Sequence, residues 1–225
     1  MDFSRELYEE AARDYRRRVK LSDDMLYRLC RQHPSHRDPA AVHAKLSLIG
    51  RSYMTRLETL LEGNDAQSGN LNRWSEFFLR NAPTIDSILA ETEVIRGRLT
   101  PRALTDVARL HGRLVRLLKS RIMRNSTPHM REKTPTSFVS KYLHFHNPSV
   151  PIYDSWASAG ARGHHLLRSA LDTLGDAPRG VDTDYWRFLR MFWCVYQLAG
   201  AALGQTPSVR HLDRYLLAVR AQALA

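Results

Sequence analysis

Ser137–Ala157 reads SFVSKYLHFHNPSVPIYDSWA: a helix-like run, a proline-punctuated break and the opening of another helix. Pro148 and Pro151 carry no backbone donor and bias the residues before them away from helical geometry, so Asn147–Pro151 must end the first helix. Asp154 then stands where an N-cap is wanted, with its carboxylate facing backbone amides. Lys141 is thus predicted on one helix and Asp154 at the head of the next, 13 positions later, and so short a connection lets both converge on one cleft.

Outward from this stretch, apolar residues recur at helical spacing nearly everywhere and no convincing strand-like alternation is found, which predicts an all-α fold. Helices are expected over Phe3–Lys20, Ser22–Gln32, Pro39–Glu62, Asn70–Arg80, Pro83–Thr92, Pro101–Arg124, Thr136–His146, Asp154–Thr173, Thr183–Gly204 and Ser208–Ala221. Ser22-Asp23-Asp24, Asp38-Pro39 and Thr100-Pro101 each offer a capping side chain. Breaks are expected at Gly63-Asn64-Asp65, Asn125–Pro135 and Gly175–Gly180. With no repeat, low-complexity tract or evident linker, residues 1–225 read as one helical domain, or as two helical subdomains flanking a cleft. The run Thr183–Gly204 is apolar on most sides, so Trp186, Phe188, Phe192, Trp193 and Tyr196 are expected in the core.

Thirty-four Lys and Arg against 23 Asp and Glu give a net charge of +11, a surface suited to polyanions. Residues 96–133 hold eleven of those cations against Asp106 and Glu132, or +9 of the total. In Pro101–Arg124, Leu104, Val107, Ala108, His111, Leu114, Val115, Leu118 and Ile122 form a stripe to be buried, while Arg109, Arg113 and Arg116 share another face that can meet phosphate. Cys30 and Cys194 are far apart in helix-like contexts, which disfavours a disulfide framework, an iron–sulfur cluster or a cysteine zinc site. The charged N-terminus lacks an apolar signal core, and the longest apolar stretch, Met191–Leu203, is too short to cross a bilayer. A cytoplasmic monomer without a membrane partner is expected.

Several chemistries are poorly served. His144 and His146 project about 200° apart on a helix, unlike the three- or four-residue spacing of helical metal pairs, and adjacent His164 and His165 share the difficulty. No glycine-rich phosphate loop occurs, and Ser137, Ser140 and Ser155 lack a nucleophile elbow. No cofactor is implied. Lys141 lies among Val139, Tyr142, Leu143 and Phe145, a setting that partly desolvates its amine and lowers its pKa. An amine of that kind beside a carboxylate can attack a sugar C1′ and stabilise the cation that develops there. His144 follows Lys141 by three residues on the same broad face, to line the cleft or contact phosphate, and Ile152, Tyr153 and Trp156 flank Asp154 as an apolar or stacking wall.

A lysine on one helix, a short connection, then Val150-Pro151-Ile152 leading to Asp154 at the head of the next helix resembles the helix-hairpin-helix DNA glycosylases, especially the 8-oxoguanine glycosylase branch. The resemblance is specific over about twenty residues. It implies an all-α protein with a DNA-binding cleft that flips a damaged or modified base out of double-stranded DNA and cleaves its N-glycosidic bond, in base-excision repair or in defence against phage DNA. Lys141 would attack C1′ and form a Schiff base, which also gives lyase activity, while Asp154 stabilises the oxocarbenium-like state. Tyr142, His144, Tyr153 and Trp156 would line the substrate pocket. Where the family carries a Gly-x-Gly turn that grips phosphate, this chain has Lys133-Thr134-Pro135-Thr136-Ser137, so Lys133, Thr136 and Ser137 would join Arg109, Arg113, Arg116 and Arg124 on DNA. Two other readings fit the same residues: a non-catalytic nucleic-acid-binding protein, with Lys141 on phosphate and Asp154 a simple cap, and an all-α protein-interaction module with a basic face.

Overall fold

Several helix starts in this chain are set by short polar side chains, although the helix expected to begin at the Ser22-Asp23-Asp24 cap opens earlier, at Lys20, and encloses those residues. In the computed structural model, which describes residues 2–55, 57–61, 68–125, 127–164 and 173–224, Ser4, Asp38, Asp182 and Ser208 each accept a hydrogen bond from the first turn of the helix they precede. The helices are α1 (Arg5–Arg18), α2 (Lys20–Gln32), α3 (Pro39–Ser47), α4 (Ser68–Arg80), α5 (Ala82–Thr92), α6 (Pro101–Asn125), α7 (Pro128–Arg131), α8 (Thr136–His146), α9 (Ser155–Arg162), α10 (Thr183–Leu203) and α11 (Val209–Gln222). No strand occurs among the described residues, and none of their helices is long and apolar enough to cross a membrane.

Two helices supply the centre of the core. Along α8, Phe138, Val139, Tyr142, Leu143 and Phe145 are all buried, so this helix meets protein on every side. It packs against α2, α5 and α6. Along α10, Phe188 and Phe192 are fully buried, and Trp186, Trp193 and Tyr196 nearly so, as the sequence predicts. The stripe expected on α6, from Leu104 to Ile122, is likewise buried throughout. A second set of contacts joins α9 to α11 and α11 to α1, bringing the last helix onto the first.

Three expected elements come out differently. The single helix predicted over Pro39–Glu62 ends at Ser47; a π-helical turn follows at Leu48–Ser52 and a 3-10 turn at Leu57–Leu60. Between them Met54 has a φ of 49°, in the left-handed region a Cβ disfavours, which stops the helix. The short α7 lies inside the segment read as a break. The helix predicted over Asp154–Thr173 is seen as α9 to Arg162, and residues 165–172, His165 among them, lie outside the described residues. Cys30 and Cys194 are buried free thiols.

Candidate functional site

The connection between α8 and α9 is fixed by side chains from four directions. Asn147 donates from Nδ2 to the carbonyls of Thr92 (2.6 Å) and Ile95 (2.8 Å) and accepts from the Ser149 amide (3.0 Å). Ser140 Oγ accepts from the Tyr153 amide (3.0 Å), and the Tyr185 hydroxyl donates to the Pro151 carbonyl (2.7 Å). His144 bonds through Nδ1 to the Val150 carbonyl (2.7 Å), which makes Nδ1 the protonated nitrogen and leaves Nε2 to accept from the Tyr27 hydroxyl (2.5 Å). Burial holds this imidazole neutral, its pKa pushed down to about 3.

That rigid loop delivers Asp154 to the head of α9, where its Oδ1 accepts from the Ala157 amide (2.8 Å). The other oxygen, Oδ2, lies 3.7 Å from Lys141 Nζ. The lysine is 6% exposed and also donates to the Tyr53 carbonyl (3.1 Å) and to Ser137 Oγ (3.2 Å). Burial lowers its pKa, and the carboxylates of Asp154 and Asp213 oppose that shift. An amine made less basic and held against a carboxylate is suited to nucleophilic attack.

Both groups line a cleft of about 820 Å³. Arg18, Val19 and Ser22 of the α1–α2 junction form one side; Ser52, Tyr53 and Met54 form another; Ile152, Asp154, Ser155 and Trp156 lead into α9. The remaining wall is α11, through Arg210, Asp213, Arg214 and Leu217. Trp156 is 52% exposed and Met54 79% exposed at this cleft. At this wall, buried Arg210 donates from Nε to Asp23 (2.6 Å) and from Nη1 to Asp213 (2.5 Å), while the Tyr53 hydroxyl donates to the second oxygen of Asp23. Arg210 stays charged, because two carboxylates outweigh the cost of its burial.

The structure therefore brings Lys141, Asp154, Ser137 and Trp156 together and separates other residues expected beside them. Tyr142 does not reach the cleft: it is fully buried, and its hydroxyl is hydrogen-bonded to His36 Nε2. His144 is likewise consumed by the core, since a helix buried on all sides turns the residue after Lys141, and the one two further on, into packing neighbours. Tyr153 is half-buried with its ring edge-on to Tyr185 and Phe188, outside the cleft lining. Thr136 is buried with its hydroxyl donated to Asp182, so it is not free to hold phosphate.

On α6, Arg113 is paired with Glu91 (2.5 Å), Arg109 with Asp106 (3.2 Å), and Arg116 donates to the Gly180 carbonyl. Arg124 bonds to the Ser120 carbonyl (3.1 Å), and Lys133 is exposed. None of these five lines the cleft, whose arginines are Arg18, Arg210 and Arg214. Those three, with Tyr53, Met54 and Asp213, were missed by sequence reasoning. The only local signal was the i, i+3 spacing of Arg210 and Asp213 on a predicted helix. Among the described residues no three His, Cys, Asp or Glu side chains converge as a metal site. Neither the sequence nor the structure matches a protein-family model, a curated protein or a solved structure.

Proposed function

We propose that this chain is a DNA glycosylase that draws a damaged or modified base out of duplex DNA into the Lys141–Asp154 cleft and cleaves its N-glycosidic bond, in base-excision repair or in defence against phage DNA. The observation that carries the reading is the 3.7 Å pairing of a buried, weakened amine with a carboxylate inside an accessible cleft. The cleft volume lies within the roughly 300–1,000 Å³ of small-molecule sites. Tyr53 and Trp156 offer aromatic surface to a base, and Arg18 and Arg214 offer charge to the flanking phosphates.

In this mechanism Lys141, its ammonium proton passed by way of Asp154 to solvent, forms a bond to C1′ as the C1′–N bond breaks, and the base departs with the bonding pair and takes up the proton that the new amine sheds. Asp154, held by the Ala157 amide, keeps its charge beside the developing cation. Ring opening of the sugar gives a Schiff base on Lys141, from which strand cleavage by β-elimination follows. The test is a panel of duplexes carrying different modified bases, assayed for abasic sites and for a borohydride-trapped covalent complex. Abasic product together with trapping through Lys141 is expected. No abasic product on any duplex would overturn the reading, and product without trapping would leave Asp154 as activator of water and remove Lys141 as nucleophile.

A further inference from the structure

A second cleft, of about 730 Å³, borders the first through two shared elements. The α8–α9 connection contributes Asn147, Pro148 and Ser149 to it, and Ile152 and Asp154 to the Lys141 cleft. Along α2, Ser22 lines the Lys141 cleft, whereas Asp24, Tyr27, Arg28 and Arg31 line the second. An α-helix rises 1.5 Å per residue, which sets Arg28 and Arg31 about 9 and about 14 Å beyond Ser22 along the axis.

Charge in this second cleft is unbalanced. Its two carboxylates are already neutralised, Asp24 by Lys20 (2.5 Å) and Glu93 by Arg96, which lines the same cleft. Arg28 and Arg31 remain. Both are exposed, lie three residues apart on one face of α2, and have no ion-pair or hydrogen-bond partner among the described residues. On α6, by contrast, Asp106, Glu91 and the Gly180 carbonyl engage Arg109, Arg113 and Arg116. A guanidinium with its planar fork of donors unspent matches the oxygens of a phosphate.

We propose that Arg28 and Arg31 hold the sugar–phosphate backbone of duplex DNA, on a strand that runs from the Lys141 cleft along α2 into the second cleft. The inference rests on the proposed glycosylase function for the place of the extruded nucleotide. One strand of a duplex advances about 3.4 Å per phosphate, so a span of about 9 to 14 Å sets the contacts about three to four phosphates from that nucleotide. Such contacts fix the register and orientation of the duplex and read no base.

The experiment measures binding to a short duplex with a central tetrahydrofuran abasic analogue across a salt series. The double variant Arg28→Ala/Arg31→Ala is expected to melt like the wild type, to bind about tenfold or more weakly near 0.1 M salt, and to lower the log–log salt slope by about two. A charge-matched control, Arg13→Ala/Arg179→Ala, removes exposed arginines outside both clefts and is expected to keep the wild-type slope. Methylphosphonates within about four phosphates of the analogue are expected to weaken the wild type and to leave the Arg28→Ala/Arg31→Ala protein indifferent. An unchanged slope in that variant, an equal loss in the control, or interference absent or confined to more distant phosphates would each overturn the surface without touching the glycosylase reading. Should the variant not fold, the wild-type interference map decides. Binding through Arg28 and Arg31 with no abasic product on any modified duplex would remove the glycosylase and keep the DNA surface, and a wild type that binds no duplex would remove both.

Discussion

Lys141 and Asp154 differ in how firmly each is tied to the fold. The carboxylate caps α9 through one oxygen and faces the amine with the other, so its position follows from helix geometry. Asparagine caps a helix about as well as aspartate. Asp154→Asn is therefore expected to leave the melting temperature and DNA affinity near the wild-type values and to slow excision about a hundredfold or more, as loss of one preorganised electrostatic group does; wild-type single-turnover rates would remove Asp154 from the mechanism. Both residues were legible because prolines and a cap signal are local features of sequence. Tyr142 and His144 were misread for the complementary reason. Their place in the core depends on α2, α5 and α6 enclosing α8 from all sides, which no spacing within α8 encodes.

At the scale of elements, α9 and α11 approach so closely that only glycine fits between them. A Cβ added to Gly160 would lie 2.0 Å from the Leu216 carbonyl oxygen, a backbone atom that cannot turn aside. Gly160→Ala is expected to force the two helices apart, lower stability by about 1–3 kcal/mol in denaturant unfolding, and separate Asp213 from Lys141; a variant with unchanged stability would show that the contact is not tight. The boundaries of α6 and α10 were readable from capping residues and long apolar stripes. The break after α3 was not. The backbone there is captured by distant groups, with the Tyr53 carbonyl accepting from Lys141 and its hydroxyl donating to Asp23. Helical turns of the π type often mark such functional departures from a regular ladder.

Across the whole molecule, buried ionisable groups set the response to acid. His111 and His144 are fully buried and neutral, with pKa values pushed down to about 4 and about 3. Unfolded histidines take up protons near pH 6.5, so each contributes stability that is present above that pH and falls by about 1.4 kcal/mol per pH unit below it. Asp213 works in the opposite sense, because its folded pKa of about 6 exceeds the unfolded value and its unfavourable charge is relieved as pH drops. These two histidines alone outweigh the one carboxyl, and His36 and His146, whose pKa values burial also lowers, add to the effect, so between pH 6 and 4 the unfolding free energy is expected to fall by about 3 kcal/mol or more. Denaturant midpoints across that range measure it, and a flat profile would mean that the imidazoles protonate within the fold. Net charge and helical periodicity, by contrast, were whole-chain properties plain in the sequence, yet the concentration of cations on α6 did not reveal that Glu91, Asp106 and the Gly180 carbonyl engage Arg113, Arg109 and Arg116.

The packing of α11 on α1, sealed by the Ser4 amide donating to the Tyr215 hydroxyl (3.2 Å), has a consequence for biosynthesis. Arg18 and Ser22 leave the ribosome well before Arg210, Asp213 and Arg214. A nascent chain stalled between α9 and α11 carries Lys141 and Asp154 but lacks a wall of the cleft around them. Assembly of the site is thereby deferred until α11 is synthesised, and a product truncated before it has no finished cleft to offer.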